Sequence, residues 1–130
     1  MTPNEFIMLI DDSKIDLYIH SEIVKQISVE IKTLLFICAE DALDYLENKE
    51  NSWPLWVLVD LNMPLMNGFD FLEKYKTMRH LQKDRCKVIM ISSSLDSVDL
   101  EKAASNPEIF AFLEKPLDKN KLKAVLLSIF

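Results

Sequence analysis

Acidic, hydroxyl and basic side chains follow four of the short apolar segments in this sequence. Asp11 and Asp12 follow the first segment, Asp60 the third, Ser92 the fourth and Lys115 the fifth. Three carboxylates brought together repel one another, and a divalent cation between them relieves the repulsion. Such oxygen ligands suit Mg²⁺, which keeps several waters beside one or two carboxylates. Because a hydroxyl and an ammonium hold phosphoryl oxygens well, these residue types predict a phosphoryl site centred on Asp60.

Each of these features also has an ordinary structural explanation when it is taken alone. The pair Asp11-Asp12 could cap a helix, Asp60 could be a loop acid, and Ser92 could be a turn residue. Lys115-Pro116 could be a simple strand exit, since proline ends strands. The occurrence of all four features at the ends of four strands, in this order, favours the functional interpretation.

The elements that position these residues alternate between apolar strands and amphipathic helices. The predicted strands are Phe6–Ile10, Thr33–Cys38, Trp56–Val59, Val88–Ile91 and Ile109–Leu113. They are continuous apolar runs, as expected for a parallel sheet with helices on both faces. The pattern therefore predicts an α/β fold with its binding crevice at the carboxyl ends of the strands.

Five helices are predicted to follow these strands. The first begins just past the acidic pair, where Ser13 and Asp16 form an S-x-x-D capping pattern. Asp118 is the expected N-cap of the fifth. The fourth, about residues 97–105, has little to bury, so we expect it to pack least firmly. The second, third and fifth helices carry apolar residues at helical spacing, namely Ala39, Ala42, Leu43 and Leu46, then Phe71, Leu72, Tyr75 and Met78, then Leu122, Val125, Leu126 and Ile129.

The composition is that of a soluble globular protein. The chain has 130 residues, of which 49% are apolar and 28% charged, which fits one compact domain. We therefore expect a single domain over residues 1–130 without an output domain. No apolar run reaches the roughly 18 residues that span a bilayer, and the N-terminus lacks a basic secretion signal, so we expect a cytoplasmic protein without membrane contact. The net charge of -6 makes direct DNA binding unexpected.

Four segments resemble the receiver domain of bacterial two-component response regulators. They are Ile10-Asp11-Asp12-Ser13, the run from Val59 to Gly68, Ile91-Ser92-Ser93 and Lys115-Pro116. The match covers nearly the whole chain, and the run from Asp60 to Gly68 is its most specific part. The resemblance implies a doubly wound, flavodoxin-like sheet of five parallel strands in the order 2-1-3-4-5, flanked by five helices. Asp12 and Asp60 would then lie side by side.

The resemblance also implies the chemistry of the site. Asp60 would be the phosphoacceptor. Asp12, Asp60 and the backbone carbonyl of Asn62 would ligate Mg²⁺ or Mn²⁺, and Asp11 would act through a metal-bound water. The donor would be a histidine kinase, a histidine phosphotransfer protein or a small acyl phosphate. The domain would catalyse its own phosphorylation and slow dephosphorylation without being a conventional enzyme.

The resemblance further implies a switch. Ser92 and Lys115 would hold the phosphoryl oxygens, Ser92 and Phe112 would change position together, and Asn62 and Ser94 would tune hydrolysis. Most relatives with an aromatic residue at the position of Phe112 carry tyrosine. Since phenylalanine lacks the hydroxyl, Phe112 is expected to stay inward even without phosphate. That Phe112 is only a core residue of a buried strand stays open as the alternative.

The output surface implied by the resemblance is formed by the fourth helix, fifth strand and fifth helix. There the family meets downstream proteins or dimerises, so a homodimer is one form expected on phosphorylation. Lys119, Lys121 and Lys123 place basic groups on this surface, although an ordinary solvated face explains each of them singly.

Three other classes of protein are alternatives. A phosphate-independent pseudo-receiver, acting as an interaction module, is the main one, but such proteins usually lose an acid or the lysine. A haloacid-dehalogenase-like phosphohydrolase needs a second acid two residues after the first, where this chain has Asn62. A flavodoxin-like electron carrier would have its flavin phosphate repelled by Asp11 and Asp12.

Overall fold

Five parallel strands and five helices alternate in the computed structural model, which describes residues 5–94 and 96–128. The strands are β1 Phe6–Ile10, β2 Lys32–Phe36, β3 Trp56–Asp60, β4 Lys87–Ser92 and β5 Ile109–Glu114. The helices are α1 Lys14–Ile27, α2 Ala39–Glu47, α3 Gly68–Tyr75, α4 Ser97–Ser105 and α5 Lys119–Leu127. The strand order β2-β1-β3-β4-β5 confirms the predicted fold.

The strand order reverses at the first strand, which lies between β2 and β3. Ile10, the last residue of β1, is opposite Phe36 on one side and Val59 on the other. On the far side of β3, Asp60 is opposite Ile91 of β4. The residues that leave β1, β3 and β4 therefore emerge next to one another at one edge of the sheet.

Helices bury both faces of the sheet, which explains why the strands are apolar without alternation. On one face, Ile7 and Leu9 of β1 pack with α1 and α5. On the other face, Met8 and Ile10 pack with α2 and α3. Burying each such side chain contributes about 1.5–3 kcal/mol, so packing on both faces stabilises the sheet that carries the site.

The third helix ends earlier than its apolar spacing predicted. We expected the helix to include Met78, but α3 ends at Tyr75. The Met78 N–H bonds to the Tyr75 carbonyl, three residues back, at 3.1 Å. Lys83 Nζ donates to the carbonyls of Tyr75 and Met78 at 3.0 and 2.9 Å, so a distant side chain satisfies the helix end. The Met78 side chain still packs against the core.

Smaller differences concern β2, α4 and α5. β2 ends at Phe36 rather than at Cys38, which instead precedes α2 as its N-cap residue. α4 buries Ala103 alone of its nine residues, in agreement with its weak apolar pattern. Ile129, predicted to be part of α5, lies outside the described residues. Across the described ranges, no helix is long and apolar enough to cross a membrane.

Candidate functional site

Three carboxylates meet at the edge of the sheet where the strands end. Asp11 and Asp12 follow β1, and Asp60 ends β3. One carboxylate oxygen from each lies within 4.8 Å of the other two. Asp11 and Asp60 are 2% and 5% exposed, whereas Asp12 is exposed to solvent. The cluster is therefore buried on the sheet side and open at Asp12.

Lys115 extends into this cluster from the end of β5. Its Nζ donates to Asp11 Oδ2 at 2.8 Å and lies 3.5 Å from Asp60 Oδ2. A second hydrogen bond, also 2.8 Å long, joins Nζ to Asp16 Oδ2. Burial by itself lowers the pKa of Lys115, but the hydrogen bonds to Asp11 and Asp16 outweigh burial and raise it. The ammonium therefore stays charged and partly neutralises the acids.

The ionised form of Asp60 is unfavourable in the absence of a metal ion. Burial, reinforced by the Asp11 carboxylate, raises the pKa of Asp60 to about 6. The Lys115 ammonium and the Asn62 N–H act in the opposite direction, and that N–H donates to Asp60 Oδ1 at 3.2 Å. Since burial and repulsion still prevail, the folded protein holds Asp60 as an anion only at a cost in free energy.

Ser92, the last residue of β4, is fully buried, and its hydroxyl forms three hydrogen bonds. Its hydroxyl donates to the Ser94 carbonyl at 2.9 Å. The same oxygen accepts from the Ser94 N–H and from Asn62 Nδ2, each at 3.1 Å. The hydroxyl thus links the loop after β3 to the loop after β4, a connection that the spacing of these residues did not indicate.

Phe112 lies in β5 and is partly buried. Its side chain packs against the core cluster on the α2 and α3 face of the sheet. This placement agrees with both sequence interpretations, an inward-biased switch residue and an ordinary core residue.

The segment after β3 is anchored by tight packing around Gly68, the one glycine of the sequence. The Gly68 N–H donates to the Leu61 carbonyl at 2.9 Å. A Cβ at Gly68 would lie 2.6 Å from Met90 Sδ and 3.0 Å from Leu61 Cα. A larger residue would therefore push against the Met90 side chain and the Leu61 backbone, next to Asp60.

Leu65, at the apex of this segment, has a strained backbone. Its φ is 67°, and the Met66 N–H donates to the Pro64 carbonyl at 2.7 Å across a γ-turn. The side chain is 98% exposed, so no side-chain packing offsets this strain.

Replacing Leu65 with asparagine, which tolerates a positive φ, is expected to raise the free energy of unfolding by about 1 kcal/mol. Urea denaturation measures the change. Leu81→Asn is the matched control, because Leu81 is equally exposed and has no positive φ. The control is expected to change stability by less than about 0.5 kcal/mol. Equal effects of the two substitutions would contradict backbone strain at Leu65.

Asp16 was not predicted as a site residue. The S-x-x-D pattern indicated only helix capping, yet the Asp16 carboxylate contacts Lys115 rather than the backbone of Ser13. A long-range contact of this kind leaves no signal in local spacing.

The donor set of the cluster fits a hard divalent cation. Asp11, Asp12 and Asp60 offer carboxylate oxygens, the ligand type preferred by Mg²⁺ and Mn²⁺. The exposed side at Asp12 leaves space for the waters that Mg²⁺ retains. Asn62, whose carbonyl is the remaining predicted ligand, follows Asp60 by two residues and is tied to it by the backbone hydrogen bond.

Comparisons with known proteins agree with this fold. The family model described as the response regulator receiver domain matches residues 7–127. The probable methanogenesis regulatory protein FilR2 of Methanothrix harundinacea is 35% identical over 85 residues, which are 63% of this chain and 53% of that protein. The chain spans between about a third and about half of the length of the curated relatives that it matches.

Solved structures of similar proteins cover almost the whole chain. The response regulator receiver protein from Dyadobacter fermentans is 32% identical, has a TM-score of 0.83, and is matched over 94% of both chains. The two-component response regulator from Cytophaga hutchinsonii is 25% identical, has a TM-score of 0.86, and is matched over 96% of both chains. With the family model matching nearly its full length, this chain belongs to the response regulator receiver domain family.

Proposed function

We propose that this receiver domain accepts a phosphoryl group on Asp60 from a histidine kinase or a histidine phosphotransfer protein. The observation that carries the proposal is the meeting of three carboxylates, from Asp11, Asp12 and Asp60, with the Lys115 ammonium. Repelling carboxylates gathered at one sheet edge, beside a partly buried ammonium, suit a phosphoryl group that arrives with a divalent metal ion.

The transfer step needs little covalent help from the protein. An Asp60 carboxylate oxygen forms a bond to phosphorus while the P–N bond of the donor phosphohistidine breaks, and the electron pair of that bond leaves with the imidazole. Asp12, Asp60 and the Asn62 carbonyl would hold Mg²⁺ or Mn²⁺, with Asp11 acting through a water. When bound, the ion neutralises charge on the phosphoryl oxygens. The remaining contribution of the protein is positioning of the reacting groups.

The bound phosphoryl group is proposed to act through Ser92 and Lys115. The phosphoryl group itself carries about 1.5–2 negative charges near neutral pH, and so attracts a hydroxyl and an ammonium. To donate to it, the Ser92 hydroxyl must leave the Ser94 carbonyl, which it contacts at 2.9 Å. Asn62 and Ser94 would tune hydrolysis, since both contact the Ser92 hydroxyl.

The output of the switch is proposed to be protein contact. Rearrangement of Ser92 would be passed to Phe112 and to the surface formed by α4, β5 and α5. α4 suits this role because it buries Ala103 alone of its nine residues. A downstream protein, or a second phosphorylated copy of the domain, would bind there. The net charge of -6 disfavours direct contact with DNA.

Phosphoryl incorporation tests the proposal. The protein is incubated with Mg²⁺ and a small acyl phosphate, and the intact mass is measured. We expect one phosphoryl group on the wild type, none on Asp60→Asn, and one on Asp70→Asn, which removes an exposed acid of α3. If the folded wild type gains no phosphoryl group from either the acyl phosphate or a phosphorylated histidine domain, the pseudo-receiver alternative replaces this proposal.

A further inference from the structure

A carboxylate outside the three-acid cluster holds Lys115. Asp16 is the third residue of α1, and its N–H donates to Ser13 Oγ at 3.2 Å. In a complete capping box the Asp16 carboxylate would return to the Ser13 N–H. Instead that N–H donates to Asp11 Oδ1 at 2.9 Å, and the Asp16 carboxylate binds Lys115 Nζ at 2.8 Å.

The start of α3 shows the same helical position used in a complete capping box. Asp70 is also the third residue of its helix, and it completes a capping box with Asn67. The Asp70 N–H donates to Asn67 Oδ1 at 2.9 Å, and the Asn67 N–H donates to Asp70 Oδ2 at 3.1 Å. The two helices begin with the same pattern, so the different use of Asp16 reflects the tertiary site rather than capping.

One N–H group of the Lys115 ammonium is left free by the two carboxylates that hold it. The Lys115 ammonium has three N–H groups, and Asp11 and Asp16 each accept one at 2.8 Å. Asp60 Oδ2 is 3.5 Å away, beyond the roughly 2.7–2.9 Å of a charge-assisted hydrogen bond. One N–H therefore remains for an acceptor on the Asp60 side, where a phosphoryl oxygen would lie.

We propose that Asp16 is a positioning residue, which holds Lys115 Nζ so that its remaining N–H faces the phosphoryl group on Asp60. The inference rests on the proposed function of this site. A divalent cation among Asp11, Asp12 and Asp60 competes for Asp11 and repels the ammonium. Within the described ranges, Asp16 is not part of that cluster. Asp16 therefore retains the flexible lysine side chain, which would otherwise have to be ordered when the phosphoryl group arrives.

The first test observes Lys115 directly in the metal-free protein. Side-chain ammonium protons are followed by ¹H–¹⁵N NMR, with Lys115→Arg used to assign the resonance. In the wild type we expect slow proton exchange at Lys115, since two carboxylates accept its protons. Asp16→Asn is expected to speed exchange or broaden the resonance beyond detection. Asp70→Asn removes the same acid from the equivalent position of α3 and is expected to leave the resonance unchanged.

The second test measures phosphorylation by a small acyl phosphate at saturating Mg²⁺. Asp16→Asn is expected to lower the maximal rate about tenfold, as for the loss of one charge-assisted hydrogen bond, while the donor concentration at half-maximal rate changes little. Asp16→Glu, which keeps the carboxylate, is expected to recover most of the rate, and Asp70→Asn to keep all of it. Calorimetric Mg²⁺ titration of each variant separates a change in metal affinity from a change in rate.

The outcomes separate the inference from the function on which it rests. If the wild type is phosphorylated and Asp16→Asn matches it in rate and in the Lys115 resonance, Asp16 does not position Lys115, while the proposed function stands. A slower Asp16→Asn that Asp16→Glu does not rescue also overturns the inference. If the wild type itself accepts no phosphoryl group, both proposals fall.

Discussion

Lys115→Met is expected to lower the free energy of unfolding of the metal-free protein by about 3–5 kcal/mol near neutral pH. The substitution keeps an apolar side chain of similar length but removes the ammonium that contacts Asp11 and Asp16 and lies beside Asp60. Asp11 and Asp60 are both buried, so their charges would be left without this partner. A buried charge that loses its partner is among the most destabilising changes in a protein.

Mg²⁺ is expected to restore much of this loss, because a divalent cation among the acids replaces the missing positive charge. Urea denaturation of the wild type and the variant, each with EDTA and with excess Mg²⁺, measures both effects. Lys25→Met provides the control, since Lys25 is an exposed residue of α1 and its loss is expected to change stability by less than about 0.5 kcal/mol. An equal cost of Lys115→Met with and without Mg²⁺ would argue against a cation among these carboxylates.

Asp60→Asn is expected to stabilise the metal-free protein above pH 6, by up to about 3 kcal/mol. Burial and the Asp11 carboxylate raise the pKa of Asp60 from 3.8 to about 6. A carboxyl whose pKa is higher in the folded state binds its proton more tightly there than in the unfolded chain. Its contribution to stability is therefore lost as pH rises through this interval. Asparagine is always neutral and avoids that loss.

The pH dependence distinguishes this mechanism from a general packing effect. In EDTA, the difference in unfolding free energy between Asp60→Asn and the wild type is expected to be greatest above pH 6 and to vanish below about pH 4. In excess Mg²⁺ the difference is expected to shrink or reverse, because the variant lacks one metal-binding carboxylate. A stability gain that does not depend on pH or on Mg²⁺ would show that ionisation of Asp60 is not its cause.

The two predictions describe one property of the site. An anionic Asp60 is expected to destabilise the metal-free fold, so the same buried charge that would bind metal and phosphoryl would lower stability in their absence. Lys115 offsets part of this cost in the metal-free protein. The exposed side at Asp12 leaves the cluster accessible to the ion that would offset the rest.

The boundaries of single elements show where local patterns were insufficient. The apolar spacing of α3 continues to Met78, but the helix ends at Tyr75, where Lys83 satisfies the helix carbonyls. Spacing reports which side chains face the core, and Met78 does pack there. It does not report which side chain from a later loop will take the carbonyls at the end of a helix.

The alternation of strands and helices in the sequence predicted the meeting of Asp11, Asp12 and Asp60, and the strand order came from the resemblance to receiver domains. Parallel strands joined by helices all end at one edge of the sheet, so residues at strand ends converge whatever the loops do. Only the tertiary structure decided the partner of Asp16. Its local pattern indicates a helix cap, whereas the lysine that it binds lies 99 residues away along the chain. Two such residues meet because the sheet places the ends of β1 and β5 around the same cluster, and no periodicity within either segment encodes that contact.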